Sequence, residues 1–274
     1  MKRYEYATLI AEKLSANVIA LKEEFNQKGR INSCAIDNLL PEDLVQEIYA
    51  AFPSPEEMKI YKSLRENKRI AAQMDLYNPL LEEIVFAFQD ERVVQIVEEI
   101  TGIKDMEPDA NLYAGGISLM SKGNFLNPHL DNSHDNNRES YRVLNLLYYV
   151  SPNWRLENGG NLELWDKGVE GESRVILSKS NRLVLMITNK TSIHSVSKVV
   201  VDEKRCCVSN YYFSEKPVES SEYFHVTSFY GRPEEPIKNV VLRADAFLRQ
   251  TVRKITGKRI VKTDHIYKKK EDNQ

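Results

Sequence analysis

His129 and Asp131 lie one residue apart, and His194 follows 65 residues later, in a chain with five histidines. Two imidazoles and one carboxylate can occupy one face of a metal ion and leave its other positions open, a set suited to non-haem Fe(II) oxygen chemistry. Eleven residues beyond His194, Arg205 opens the run R-C-C-V-S-N-Y-Y-F. A guanidinium there can hold an acidic co-substrate beside the metal through two parallel hydrogen bonds.

This spacing demands particular elements. Side chains alternate along a strand, so N-P-H-L-D-N sends His129 and Asp131 to one side and Leu130 to the other. The third ligand must come from a distant strand, and T-S-I-H-S-V-S-K-V supplies one around His194. Arg205 shares its strand face with Cys207, Ser209 and Tyr211. An arginine turned inward is costly unless paired, and a dicarboxylate offers the pair. Zinc is the rival metal, because two histidines and a carboxylate also serve zinc hydrolases. Those commonly carry H-E-x-x-H on a helix, which this chain lacks. His134 and Asp135 fall in the polar run S-H-D-N-N-R-E-S and read as loop residues, facing substrate or solvent. Trp154 and Trp165 read as packing residues, and His225 and His265 receive no role.

The wider sequence supplies a frame for these residues. Residues 5–28 read as one amphipathic helix ending near Gly29, and 31–40 as a strand. A helix follows from Pro41, stopped by Pro53 and Pro55. Two more are expected over 79–88 and 90–101, the second with the stripe Val93, Ile96, Val97 and Ile100 and a stop at Gly102. After Pro108 short β-rich runs separated by turn signals dominate, and the helical pattern returns from Pro236 to about Lys254. The expectation is a mainly β fold with flanking helices (α+β) around a jelly-roll core. Residues 1–108 form an N-terminal helical region with one entry strand, 109–215 the core, and 216–274 a helical extension and basic tail. Segments 59–78, 132–140 and 216–236 are expected to shape substrate entry.

Composition narrows the class. With 42% hydrophobic and 28% charged residues the chain has ordinary globular values. Three cysteines make no disulfide framework, and the charged N-terminus lacks a signal-peptide h-region, so a cytoplasmic protein without a membrane span is expected. Nine Lys/Arg face only Asp264 between residues 249 and 270. No nucleic-acid motif accompanies them, so a solvated tail is the simpler reading and nucleic acid is not an expected partner.

The run Y-R-V-L-N-L-L-Y-Y-V-S-P-N-W-R-L-E-N-G-G-N-L-E-L-W-D, preceded by H-L-D and followed by I-H-S-V and R-C-C-V-S-N-Y-Y-F, resembles the Fe(II)/2-oxoglutarate-dependent oxygenases, prolyl 4-hydroxylase-like branch. The resemblance implies a double-stranded β-helix over 109–215. It implies Fe(II) on His129, Asp131 and His194, and the distal carboxylate of 2-oxoglutarate on Arg205 and Tyr149. Asn145 and Leu147, on the face of Tyr149, and Ser209 would line the pocket. Fe(II), 2-oxoglutarate and O2 are the implied cofactors, with ascorbate a further candidate. Succinate and CO2 would leave as co-products of hydroxylation. Asp131 stands where halogenating relatives have Ala or Gly, which favours hydroxylation. Two departures stand out: a longer stretch between His194 and Arg205, and M-S-K-G-N-F-L-N-P in place of the tyrosine-rich glycine loop of the prolyl hydroxylases. The substrate class this leaves is a protein side chain or a metabolite such as a glycan precursor, and a homo-oligomer is compatible with the helical ends. Two other classes fit the same residues: a non-catalytic module sensing metal or 2-oxoglutarate, and a zinc hydrolase.

Overall fold

The computed structural model describes residues 2–221, 223–256 and 266–268. Its helices are α1 (Arg3–Ser15), α2 (Val18–Phe25), α3 (Glu42–Ala51), α4 (Pro79–Ala87), α5 (Glu91–Thr101) and α6 (Pro236–Thr256). Its strands are β1 (Ser33–Asp37), β2 (Lys59–Lys62), β3 (Glu66–Ala71), β4 (Glu107–Pro108), β5 (Gly116–Met120), β6 (Phe125–Leu130) and β7 (Tyr141–Tyr149). They continue with β8 (Leu162–Leu164), β9 (Arg174–Ile176), β10 (Arg182–Ile187), β11 (His194–Val196), β12 (Arg205–Ser214) and β13 (Ser228–Phe229).

The strands form one curled antiparallel sheet in the order β1-β10-β7-β12-β5-β3-β6-β11-β8-β9, with β13 added to β6, β2 to β3 and β4 to β12. This is the jelly-roll type of half-barrel expected from the sequence. Strand alternation divides the labour within it. On β7, Leu144, Leu146 and Tyr148 are buried outward among the helices, and Tyr148 meets the ring of Phe88 at 5.7 Å. Asn145, Leu147 and Tyr149 point the other way, toward the site. Helices α2 and α4 lie on the sheet and α1 and α5 pack against them, through Ile10, Leu14, Leu81, Ile84, Val97 and Ile100. Each such side chain contributes about 1.5–3 kcal/mol by leaving water.

Local signals explain the helix ends. In α5, Asp90 accepts the Arg92 N–H at the start, and Gly102 at φ 75° closes the end, a backbone conformation glycine adopts without steric penalty. The single helix expected over 5–28 is two. Asn17, whose side chain donates to Lys13 O, stands at the break and lets α2 turn onto β1 and α5.

The N-terminal region gives four strands rather than one. Glu66–Ala71, expected to lie at the substrate entrance, is inserted between β5 and β6, with Ala71 opposite Ile117 and Asn67 opposite Phe125. Its polar K-I-Y-K and E-N-K-R-I-A runs lack the apolar alternation of a half-buried strand. The C-terminal extension is likewise more than helical: β13 sets Phe229 opposite His129. The tail beyond 256, apart from 266–268, and His265 with it, lie outside the described residues. Among the described residues no helix is long and apolar enough to cross a membrane.

Candidate metal and dicarboxylate site

His129 is the penultimate residue of β6, Asp131 immediately follows that strand, and His194 opens β11. The two histidines are direct cross-strand partners, which brings their rings to 4.1 Å. One ligand atom from each of the three residues lies within 4.8 Å of the others, and all three are buried. His129 Nε2 stands 3.6 Å from Asp131 Oδ1, and His194 Nε2 stands 3.7 Å from Asp131 Oδ2. The opposite ring nitrogens are occupied: Nδ1 of His129 meets Asn127 O at 2.9 Å, and Nδ1 of His194 meets Ser192 O at 3.0 Å. Each Nδ1 therefore carries the proton, and each Nε2 lone pair faces inward, the tautomer a metal ligand needs. Burial and the adjacent His129 hold the His194 pKa down at about 4 against the pull of Asp131, so this imidazole is neutral at neutral pH.

Asp131 stays charged for a different reason. Burial alone would raise its pKa, but the guanidinium of Arg142 and the two histidines hold it well below the usual carboxylate range. Arg142 Nη1 lies 3.3 Å from Asp131 Oδ2, and Asn145 Nδ2 donates to the same oxygen at 2.9 Å. Thr188 fixes Asn145 in turn, donating to its Oδ1 at 2.9 Å. Asn145 was expected to line the co-substrate pocket; its contact is with the metal carboxylate. Arg142 was not anticipated. Its inward direction depends on a bulge, because Tyr212 pairs with Leu144 while Phe213 pairs with Arg142, leaving Val143 as the extra residue. The bulge reverses the alternation and turns Arg142 inward, beside Asn145. The donor set thus fits a divalent cation: one retained carboxylate and two imidazoles with free Nε2 atoms, their second contacts already made.

Across the sheet, Arg205 is buried at 4% exposure. Its Nε and Nη2 reach Ser178 Oγ at 3.3 and 3.4 Å, its Nη1 lies 3.8 Å from Met120 Sδ, and its guanidinium sits 4.7 Å from the Tyr149 ring centre. No ion pair forms with Arg205 among the described residues. Tyr149 Oη is buried without a hydrogen bond, although Ser178 and Arg205 lie around it. Burial raises its pKa, so the phenol remains a donor. A buried cation with no ion pair among the described residues and a buried hydroxyl with no hydrogen bond are together an unmet demand for an acidic ligand. Cys207 pairs with Tyr149, and Ser209 with Leu147, so these residues continue the same face. Ser178 was not foreseen; it donates to Gly160 O at 2.8 Å and ties Arg205 to the Gly159–Gly160 turn. A Cβ on Gly159, at φ 70°, would lie 1.9 Å from Lys198 O, which explains the glycine there.

His134 is buried rather than solvated, at 2.8 Å from Ser133 Oγ and against the Tyr141 ring at 4.2 Å. Asp135 organises its loop by accepting the Glu139 and Ser140 N–H groups. Neither belongs to the metal cluster. Trp154 and Trp165 pack as expected and donate to Gly159 O and Ser195 Oγ. The 216–236 segment, expected to shape substrate entry, packs against the site residues. Phe229 stacks on His129 at 5.1 Å. His225 is buried beside Arg142 with neither ring nitrogen bonded; the neighbouring Val226 N–H goes to Gln250 instead. Arg232 clamps the segment through Glu163, at 2.7 Å, and Glu163 receives Ser195 Oγ at 2.6 Å, directly behind His194.

One curled antiparallel sheet thus carries two histidines, a carboxylate and a buried arginine. The model of the 2OG-Fe(II) oxygenase superfamily matches residues 115–213, the segment that carries these residues. A mouse protein named prolyl 3-hydroxylase OGFOD1 is 29% identical over 96 residues, which make up 33% of this chain and 17% of that protein. The match therefore spans well under a fifth of that relative's length. A Pseudomonas putida prolyl-4-hydroxylase structure superposes with a TM-score of 0.52 at 16% identity, covering 71% of this chain and 98% of that one. A Phytophthora capsici prolyl 4-hydroxylase gives 0.54 at 15% identity, covering 91% and 77%. At these identities the likeness is one of fold.

Proposed function

We propose that this chain is an Fe(II)- and 2-oxoglutarate-dependent dioxygenase that hydroxylates a protein side chain or a metabolite, releasing succinate and CO2. The observation that carries the reading is the pairing of two sites: a converged His129–Asp131–His194 set, and a buried Arg205 with Tyr149 whose donors lack an acidic partner. Bound at the triad, Fe(II) would supply the redox chemistry that couples 2-oxoglutarate decarboxylation to substrate oxidation by O2. The chain's own residues do the rest. Asn127 O and Ser192 O hold the imidazoles in the ligating tautomer. Arg142 and Asn145 keep Asp131 ionised and orient its oxygens. Arg205, steadied by Ser178, and Tyr149 hold the distal carboxylate, while Phe229 shields His129 from water. A prolyl residue is one candidate target, because the relatives named above are prolyl hydroxylases.

The test is succinate formation from 2-oxoglutarate with iron and oxygen by the purified chain, with and without candidate substrates. His129→Ala and Asp131→Ala are expected to abolish turnover while circular dichroism shows the fold retained. Full activity in either variant would remove the metal assignment.

A further inference from the structure

Two buried side chains beside the metal ligands carry polar atoms that nothing in the fold uses. Arg142 spends Nη1 on Asp131 and Nη2 on Asn132, at 3.3 and 2.9 Å, but its Nε is buried without a hydrogen bond among the described residues. His225 is 7% exposed, and both of its ring nitrogens are in the same condition. Its backbone is nevertheless fixed. The His225 N–H donates to Ser133 Oγ at 2.8 Å, and its carbonyl accepts the Ser133 N–H at 3.1 Å, two residues from Asp131. Buried donors and acceptors left unused are rare in folded proteins, and each calls for a partner.

Arg142 and His225 line one chamber, together with Ser133, Thr188 and Asn189. It offers about 10 Å³ for the centre of a water-sized group, the space of a single such group. Tyr149, Ser178 and Arg205, at the co-substrate end, are not among its walls. His225 also lines an adjoining open cleft of about 370 Å³, whose wall includes Phe229, the ring stacked on His129. That cleft has the size that holds the body of a small ligand, and the chamber has the size that takes one atom of it.

We propose that the chamber binds a hydroxyl of the substrate: the molecule oxidised at the triad already carries an alcohol, which accepts from Arg142 Nε and donates to His225, while its body lies in the cleft beside Phe229. The inference rests on the oxygenase reading above and narrows its substrate to a hydroxyl-bearing compound such as a polyol. Size, charge and hydrogen bonding each select that group. A carboxylate or an amide brings several atoms into a space for one. The Arg142 charge is already balanced by Asp131, so an anion in the chamber would face an ionised carboxylate with no cation of its own. Burial lowers the His225 pKa, so its ring is neutral and offers one N–H donor and one bare nitrogen. A hydroxyl is donor and acceptor at once, and satisfies Arg142 Nε and the bare nitrogen together. The remaining ring N–H is left for a second oxygen of the same compound.

The test is NMR of the full chain, nitrogen-labelled and loaded with 2-oxoglutarate and Zn(II) as a diamagnetic stand-in. Methanol, acetate and acetamide are the probes, for an alcohol, an anion and a peptide-like amide. The Arg142 Nε–H and His225 ring resonances are assigned by their loss in Arg142→Lys and His225→Phe. Methanol shifts both resonances along one saturating curve, with a dissociation constant on the order of 10 mM or weaker for so small a ligand. Acetate and acetamide leave them in place. No methanol response overturns the proposal and leaves the chamber to a structural water. Separate curves for the two resonances, or an equal response to acetate or acetamide, overturn it as well. Succinate formation by the same preparation with iron reports on the oxygenase reading separately. Silent resonances in a succinate-forming chain refute the chamber alone, and a methanol response in a chain that forms no succinate refutes the oxygenase reading alone.

Discussion

Replacing Arg205 with Met separates the cost of a buried charge from its use. Arg205 has Ser178 Oγ at 3.3 and 3.4 Å and Met120 Sδ at 3.8 Å, but no ion pair among the described residues. In the ligand-free chain the guanidinium is an under-compensated buried charge, and an apolar side chain of similar volume is neutral or stabilising at such a position. The ligand-free unfolding temperature of Arg205→Met is therefore expected to equal or exceed that of wild type. Binding moves the other way. Two hydrogen bonds between charged partners, at about 1.5–3 kcal/mol each, give about 3–6 kcal/mol. That corresponds to roughly a 10²- to 10⁴-fold loss of 2-oxoglutarate affinity. The assay is thermal unfolding without oxygen, with Mn(II) as a redox-silent metal and 2-oxoglutarate at about 100 times the wild-type Kd. At that concentration the ligand stabilises wild type by about 2.7 kcal/mol. At about 2–4 °C per kcal/mol for a chain of this size, the shift is about 5–10 °C. Arg205→Met should show almost none of it while the metal-induced shift persists. A variant that keeps the full 2-oxoglutarate shift refutes the clamp. A ligand-free variant several degrees less stable refutes the claim that the charge is under-compensated.

Arg142→Met should instead lower ligand-free stability by about 3–5 kcal/mol, because it strips the counter-charge from a buried carboxylate. Urea unfolding measures this, and Mn(II) should restore part of the loss. The acid limb of stability is also fixed in sign. His194 titrates near 4 in the fold against an ordinary 6.5, so its contribution is complete above about pH 6.5 and lost as pH falls toward 4. Asp131, also depressed, extends the loss to lower pH. A metal-free urea midpoint that stays level or rises between about pH 6.5 and 4 would contradict that.

The convergence of His129, Asp131 and His194 was legible because strand alternation is a strict rule: H-x-D can face only one way, and His194 and Arg205 open later strands. Arg142 was hidden by the same rule. Counting by twos from Asn145 turns Arg142 outward, and only the extra residue at Val143, set by pairing with β12, brings it back. Ser178 escaped notice in a turn where serine is ordinary. The end of α5 was readable from Gly102, and the starts of α4 and α5 lie close to expectation because Asn78 and Asp90 cap them locally. β3 and β13 were not, because a mostly polar strand and a two-residue strand carry no apolar period. Their place is set by partners far away in the chain.

The pairing of β13 with β6 has a consequence for how the protein is made. Phe229 covers His129, yet it is synthesised 100 residues later. At about 5–20 residues per second, the edge of the ligand strand stays uncovered for roughly 5–20 s after His129 is added. During that interval a hydrogen-bonding edge beside two imidazoles is available to other chains and to stray cations. A metal held by these residues, as the proposed function requires, would be enclosed only once this last wall is in place.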